Sequence, residues 1–395
     1  MSKKRKHRKL LLRDGLLSTL LSLLVCYLFS LLFFNTSFFD PLSKALQDFS
    51  FLDVYYAERL NEQELTDTKV ILVNVEHKTR QELANALDKV IESRAKAIGF
   101  DVILREFEKT AADTLLAKLL KEDRVIATYI IGDDGEEIKS HTFFGENLTS
   151  GFANFSFDSS SSVIREFSGR YESKQDIKES LPVVLARQYL SPKEWSAREI
   201  DEKIAKPRVI NYQGGLDHYL HLTIDDILYL ENTDLLNDKI ILFGYLGSPS
   251  GNSFDIEDKH FTPLNTTTAG KSIPDMYGAT IHANIISMLI SDRFMYKVPR
   301  LLELTLLFLF SFVASVYFIW LDRRLNISYR TVRKTVLFVF SILLVWITLL
   351  LFKRGIVFKS ATIIAVAVFS AGFVKYYKHL VRYINTKRKF KSYLN

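Results

Sequence analysis

The run Val70-Ile71-Leu72-Val73-Asn74-Val75 is an apolar stretch of strand length, the pattern of a strand buried on both faces. Residues 80–91 follow with helical spacing through Leu83, Ala86, Leu87, Val90 and Ile91. Residues 97–103 read as a second buried strand, 113–120 as a short amphipathic helix and 125–131 as a third strand. Strand–helix–strand–helix–strand implies parallel pairing, with helices crossing over the sheet. The fold class expected is therefore an α/β domain with a mixed, largely parallel sheet flanked by helices.

Working outward, residues 38–68 are polar-rich and read as a helical stalk around 41–60. Residues 151–157 alternate like a half-exposed strand, Ser159–Ser162 form a turn, and 163–167 return as a strand. Residues 177–189 read as a helix. Strands are expected at 209–212 and 240–243, with a helix at 223–230 capped by Thr223. A loop at 244–278 then leads into a helix at 279–290. No internal repeat is present.

Charge divides the 395 residues into three. Residues 1–34 carry +6, residues 35–299 carry −13 and residues 300–395 carry +14. A nucleic-acid binder needs its positive charge on the folded domain, and here that domain is acidic. The single cysteine, Cys26, excludes a disulfide-stapled module.

Residues 16–34 contain no charge, and thirteen of the nineteen are Leu, Val or Phe. As a helix they reach about 28 Å, close to the ~30 Å hydrocarbon thickness. Insertion is favoured by roughly 5 kcal/mol at about −0.4 kcal/mol per strong apolar residue. The stretch is long for a cleaved signal and lacks a small-x-small site, so it reads as an uncleaved anchor. Three further spans are expected at 300–321, 335–352 and 355–374. Basic residues crowd 1–15, 322–334 and 375–395, which by the positive-inside rule sets both basic tails in the cytoplasm and residues 35–299 outside. Glu303 and Lys359 are the ionisable residues near the C-terminal spans, both at the edge, so transport is not expected.

The acidic block resembles the second type of CHASE domain, an extracytoplasmic sensory module of bacterial membrane receptors. Three successive stretches carry the resemblance: Asp238-Lys239-Ile240-Ile241-Leu242-Phe243-Gly244, then Asp258-Lys259-His260-Phe261-Thr262-Pro263, then Tyr277-Gly278-Ala279-Thr280-Ile281-His282-Ala283-Asn284. They are similar to the family's glycine-ended strand, its Asp-x-x-x-Thr-Pro loop and its Gly-x-x-x-His-Ala-Asn helix. Ile98-Gly99-Phe100-Asp101, Asp113, Gly151-Phe152-Ala153-Asn154 and Asn211-Tyr212 match further, as do three spans directly after the domain. Glu76 stands where the family usually has Asp, and Thr79 replaces a Ser. The family usually continues into a cytoplasmic output domain, whereas a basic tail of 21 residues, seven of them Lys or Arg, follows the last span here.

Glu76, Asp101, Asn154, Arg165, Asp258, Thr262, His282 and Asn284 are the candidate ligand-binding residues, on the expectation that polar groups gather at the carboxyl ends of the strands. Gly278 and Pro299 are the candidate coupling positions, because the 279–290 helix runs almost directly into the second span. The acidic stretch Asp255, Glu257, Asp258, His260 matches no EF-hand spacing, and no metal or other cofactor is expected. Neither a Gly-x-Ser-x-Gly elbow, a Walker loop nor paired zinc-ligand spacing occurs, so the chain is not expected to be an enzyme. The resemblance implies a bacterial inner-membrane sensor or receptor subunit that recognises a small molecule or envelope component and signals through its helices. The partners expected are the lipid bilayer, a separate membrane or cytoplasmic output protein and a further copy of the chain, but no nucleic acid. The alternatives are a structural subunit docking an envelope protein and, third, a membrane-tethered hydrolase.

Overall fold

The computed structural model describes residues 3–35, 67–158, 161–172, 176–265, 273–324 and 329–394. The stalk expected at 41–60 lies outside them. The chain divides into two compact units, one of residues 1–44 with 296–395 and one of residues 45–295.

The first unit opens with helix α1 (Lys3–Asn35), which includes the anchor and also most of the basic tail before it. In the second unit the strands are β1 (Asp67–Asn74), β2 (Ala97–Phe100), β3 (Val125–Ile131), β4 (Glu137–Ile138), β5 (Ser150–Phe152), β6 (Tyr219–Thr223) and β7 (Ile240–Gly244). They form one sheet in the order β6-β1-β7-β2-β3-β4, with β5 also on β3. All pairings are parallel except β3 with β4. The register sets Ile71 beside Ile241, Ile241 beside Ile98 and Ile98 beside Val125. Its central strand, β7, is thus the last in sequence.

Both faces of the sheet are covered. On one, α2 (Arg80–Glu92), α3 (Ala111–Leu119) and the later α5 (Ile224–Tyr229) share a buried cluster with Ile71, Val73, Ile98, Phe100, Ile241 and Phe243. On the other lie α4 (Leu181–Tyr189) and α6 (Gly278–Ile290), which pack against each other and the sheet. Burial on both faces is why β1, β2 and β7 read as unbroken apolar runs. Capping boxes start four of the described helices: Thr79 with Glu82, Thr110 with Asp113, Thr223 with Asp226, and Ser191 with Glu194 at Pro192–Ala197. Asp113 is fully buried at the third helical position, not the cap, and accepts from Arg80 Nη1 at 2.6 Å, joining α3 to α2.

Three expectations are corrected. Residues 177–189 are not one helix: Ile177–Glu179 is a strand paired with Arg170–Glu172, and α4 starts at Leu181. Pro182 explains the late start, since its missing N–H is tolerated only in a first turn. Residues 151–157 break at 153–155, where Asn154 bonds both backbone groups of Ile131 in place of a strand ladder. The 244–278 loop contains two paired strands, Lys259–His260 and Met276–Tyr277.

The first unit resumes with α7 (Arg300–Arg324), α8 (Tyr329–Lys353) and α9 (Ser360–Lys387). These and residues 5–31 of α1 are long and apolar enough to cross a membrane. A short parallel pair, Tyr296–Lys297 with Ile356–Val357, joins the start of α7 to the α8–α9 connector. α1 packs on α7 and α9 through small polar residues: Ser22 and Ser370 share a hydrogen bond of 2.8 Å, and Gly15 meets Val316 so closely that a Cβ there would lie 2.3 Å from Cγ2. Small residues that let backbones approach are what hold helices together in lipid, where apolar surface gains nothing by association.

Gly151 on β5 is the tightest backbone contact in the sheet unit, because a Cβ there would sit 2.6 Å from the Leu181 backbone. Backbone cannot swing aside as a side chain can. Gly151→Ala is expected to cost about 1–3 kcal/mol, lowering the unit's thermal midpoint by several degrees. An unchanged melting profile for the full chain in detergent would refute the packing of α4 on β5.

Candidate functional site

The carboxyl ends of β7 and β2 lie side by side, and α6 begins against them. Gly244 ends β7, and a Cβ on it would come within 2.5 Å of the Ala279 Cβ. Only a residue without a side chain lets the helix start so near. Asp101 follows β2 and donates its backbone N–H to Phe243 O at 3.0 Å.

Asp258 approaches the first turn of α6 from the loop. Its backbone carbonyl accepts from Gly278 N at 3.0 Å, its φ is +52°, and its carboxylate oxygen would lie 2.8 Å from a Cβ on Gly278. α6 has no side-chain cap from Tyr277, so this carboxylate is the negative charge beside its N-terminus. Coupling candidate Gly278 therefore packs directly against the Asp258 carboxylate.

Above the strand ends, His282 projects from the second turn of α6. Its Nε2 is 3.9 Å from Asp101 Oδ2, too far for a direct hydrogen bond, and its side chain is 3% exposed. Nδ1 of His282 and the hydroxyl of Thr280, both buried, have no hydrogen-bond partner among the described residues. The His282 ring stacks on Phe155 at 4.6 Å; Phe155 also meets His260 edge-on at 5.0 Å. His260 Nε2 in turn lies 3.5 Å from Asp258 Oδ1. The site is therefore a pair of carboxylates and a pair of imidazoles around one phenyl ring. Asp258 is at the outside, with 43% of its side chain exposed, and His282 is innermost.

Of the sequence candidates, Asp101, Asp258 and His282 converge here. The others work in the scaffold. Asn284 accepts from Gln213 N at 2.7 Å and donates to Gly214 O at 3.0 Å, tying that loop to α6. Thr262 donates to Asp275 Oδ2 at 2.5 Å and closes the base of the loop around 262–275. Asn154 serves β3, and Arg165 lies on the Ser161–Phe167 strand of a separate three-stranded sheet, its carbonyl accepting from Ile210. Glu76 takes a left-handed turn at φ +43°, its N–H bonded to Asn74. Pro299 lies in the other unit, where its carbonyl accepts from Leu302 and Glu303 as α7 starts.

Two members were not singled out as binding residues from the sequence. Phe155 directly follows the Gly151–Asn154 motif. His260 lies inside the Asp-x-x-x-Thr-Pro stretch, where its acidic neighbours suggest metal ligation rather than ligand contact. Asn74 was also missed: fully buried at the end of β1, it donates to Gly247 O and Ser250 Oγ and accepts from Leu246 N and Glu76 N. A polar residue inside an apolar strand was its signal. No group of three or more potential metal ligands occurs among the described residues.

Burial, reinforced by the Asp258 charge, raises Asp101 to about pKa 7, while the neighbouring Thr128 hydroxyl acts the other way. Burial, reinforced by His260, lowers His282 from 6.5 to about 3. The signs oppose in stability. Between about pH 4 and 7 the folded chain keeps a proton on Asp101 that the unfolded chain has lost, so stability falls as pH rises through that window. Between about pH 3 and 6.5 the unfolded chain binds a proton that His282 refuses, so stability rises with pH. Each slope is at most about 1.4 kcal/mol per pH unit. Where the windows overlap, the two offset each other. Asp101→Asn should therefore give a melting temperature that climbs from pH 4 to 6.5, and His282→Asn one that declines over the same range. Parallel profiles for both variants and the parent would disprove the opposed pair.

Compared with known families, the chain matches the CHASE2 domain over residues 19–317, well over half its length. No curated protein and no solved structure matches it. The matched stretch holds the whole sheet, the strand-end cluster and α6, between helices long and apolar enough to span a bilayer. The chain therefore belongs to the CHASE2 family of extracytoplasmic sensory domains, in a multi-pass membrane protein.

Proposed function

We propose that this protein is a bacterial inner-membrane receptor subunit whose outer domain binds a small molecule or envelope component over the Asp101–Asp258–His260–His282 cluster. Both basic ends then lie in the cytoplasm, and the bound state passes through the helices to a separate output protein. The observation that carries this reading is His282: a buried imidazole with an unpartnered nitrogen, 3.9 Å from a carboxyl, at the strand ends of a sensory-family domain. Buried polar groups without partners are rare in scaffolds and concentrate at functional positions. Parallel α/β sheets bind ligands outside the carboxyl ends of their strands.

The cluster suits a ligand that presents a cationic or hydrogen-bond-donating group. Asp258 and Asp101 repel each other's charge, and a donor between them relieves the repulsion. Asp258 forms the accessible rim, His282 the buried reporter, and Asp101 and His260, 17% and 23% exposed, stand between them. Recognition fits this geometry better than turnover, since His282 is 3% exposed and stacked on Phe155. His282 sits on α6, and the chain runs from α6 to Pro299 within nine residues. A ligand preferring one setting of α6 would bias the span that follows by its differential affinity.

One observation favours the docking alternative. Phe254 and Ile256 are 88% and 63% exposed on a loop held firm by Tyr245 and Ser248 bonding to Asp255. Exposed apolar side chains on a fixed loop suit a protein surface.

Thermal melting of the full chain against small amines, amides and sugars separates the two. A true ligand at a hundred times its Kd stabilises by about 2.7 kcal/mol, and that gain should vanish in Asp258→Ala. Stabilisation by no small molecule, together with capture of an envelope protein that Phe254→Ser abolishes, would favour docking. Orientation is checked by protease shaving of intact spheroplasts. Residues 67–295 should be digested from outside; digestion only in inverted vesicles would end the receptor reading.

A further inference from the structure

In the helical unit, Asp14 of α1 is fully buried, two residues before the uncharged stretch that begins at Leu16. An ionisable side chain in that position needs a named partner. Its immediate neighbour Arg13 bonds Oδ1 at 2.9 Å, and the remaining acceptor, Oδ2, is taken by the segment after α9. Ser392 Oγ and the backbone N–H of Tyr393 both donate to it at 2.6 Å.

The same segment is gripped by further side chains of α1 and by one of α7. Arg13 Nη2 donates to the Lys391 carbonyl, and its guanidinium lies 4.7 Å from the centre of the Phe390 ring. Arg323 at the end of α7 donates to the Tyr393 carbonyl at 2.6 Å and lies 5.1 Å from the Tyr393 ring. His7 meets that ring edge-on at 5.9 Å. Phe390, Tyr393 and Leu394 pack against the cluster of Phe318, Val374 and Tyr377 where α7 and α9 meet. Much of the grip is on main-chain groups, hydroxyls and ring faces, which is how proteins hold short extended peptides.

We propose that Asp14, Arg13 and Arg323 form a peptide-docking site at this end of the helical unit, occupied in the resting protein by the chain's own residues 390–394. The site selects an aromatic residue, then two positions on a hydroxyl residue, then a second aromatic residue. A segment of a partner protein with that chemistry would displace residues 390–394 and so engage α1, α7 and α9 together. The inference does not rest on the reading of the outer domain: ligand recognition there could fail while docking here held, and the reverse.

The test uses the full chain in detergent with Cys26→Ser and a fluorophore on Lys391→Cys, whose side chain is exposed while its carbonyl makes the contact. The dye should show high anisotropy. Ser392→Ala and, separately, Asp14→Asn should each remove most of the excess over free dye. Titration of the unmutated docking site with the synthetic peptide Lys-Phe-Lys-Ser-Tyr-Leu should lower anisotropy saturably, and a scrambled peptide of equal charge should not. A dye that is mobile from the start overturns the proposal. So does a peptide without effect, which would leave a fixed internal contact, or a scrambled peptide equally effective, which would leave charge attraction alone.

Discussion

The near contact of α6 with the end of β7 is the constraint on which the strand-end cluster depends. Gly244 and Gly278 each stand where a methyl group would collide, one with Ala279 and the other with Asp258. With both side chains absent, the first turn of the helix settles directly on the strand ends, and His282, one turn on, comes over Asp101. A longer standoff would let water between the two. The imidazole would then have a solvent partner, and the carboxyl its ordinary acidity.

That dryness gives the cluster its electrical character. Asp101 and His282 are both disfavoured in their charged forms, so near neutral pH the pair tends toward a shared neutral state. Asp258, with 43% of its side chain exposed, is the member of the cluster nearest the surface. The cluster thus grades from an exposed carboxylate to an imidazole on a helix that is entirely buried.

The helical unit follows a different physics. In lipid its helices gain little from hiding leucine, and beside their apolar clusters they touch through glycine, serine and a few charges. Ser22 with Ser370, Lys378 with Asp322 and the Asp14 assembly are of this kind. Asp14 escaped notice in the sequence because it stands just outside the uncharged stretch, where a lone acid among lysines and arginines reads as part of a solvated tail. Burial came from residues almost the whole chain away.

Local pattern carried the helices well. Thr79, Thr110 and Thr223 each precede an acidic residue by three, and each caps the helix so marked. It carried β1, β2, β3 and β7 as well, because strands covered on both faces have no polar alternation to confuse. It failed at 177–179 and 219–223, where short strands take their identity from partners elsewhere: Arg170–Glu172 in one case and β1 in the other. Candidate residues divided likewise. His282, Asp101 and Asp258 were legible as polar groups beside strand ends, whereas Asn284 and Thr262 looked the same in sequence and turned out to tie loops.

What residue order settled was the class of each segment: four long apolar helices, an acidic α/β block, its cap residues and its buried strands. Periodicity and charge are properties of neighbours in the chain, so they need no fold to be read. What folding alone could settle was adjacency: β7 inserted between β1 and β2, Phe155 laid between two histidines, and Ser392 brought to Asp14. Those pairings join residues more than a hundred positions apart, and their energies exist only once close packing has removed the water between them.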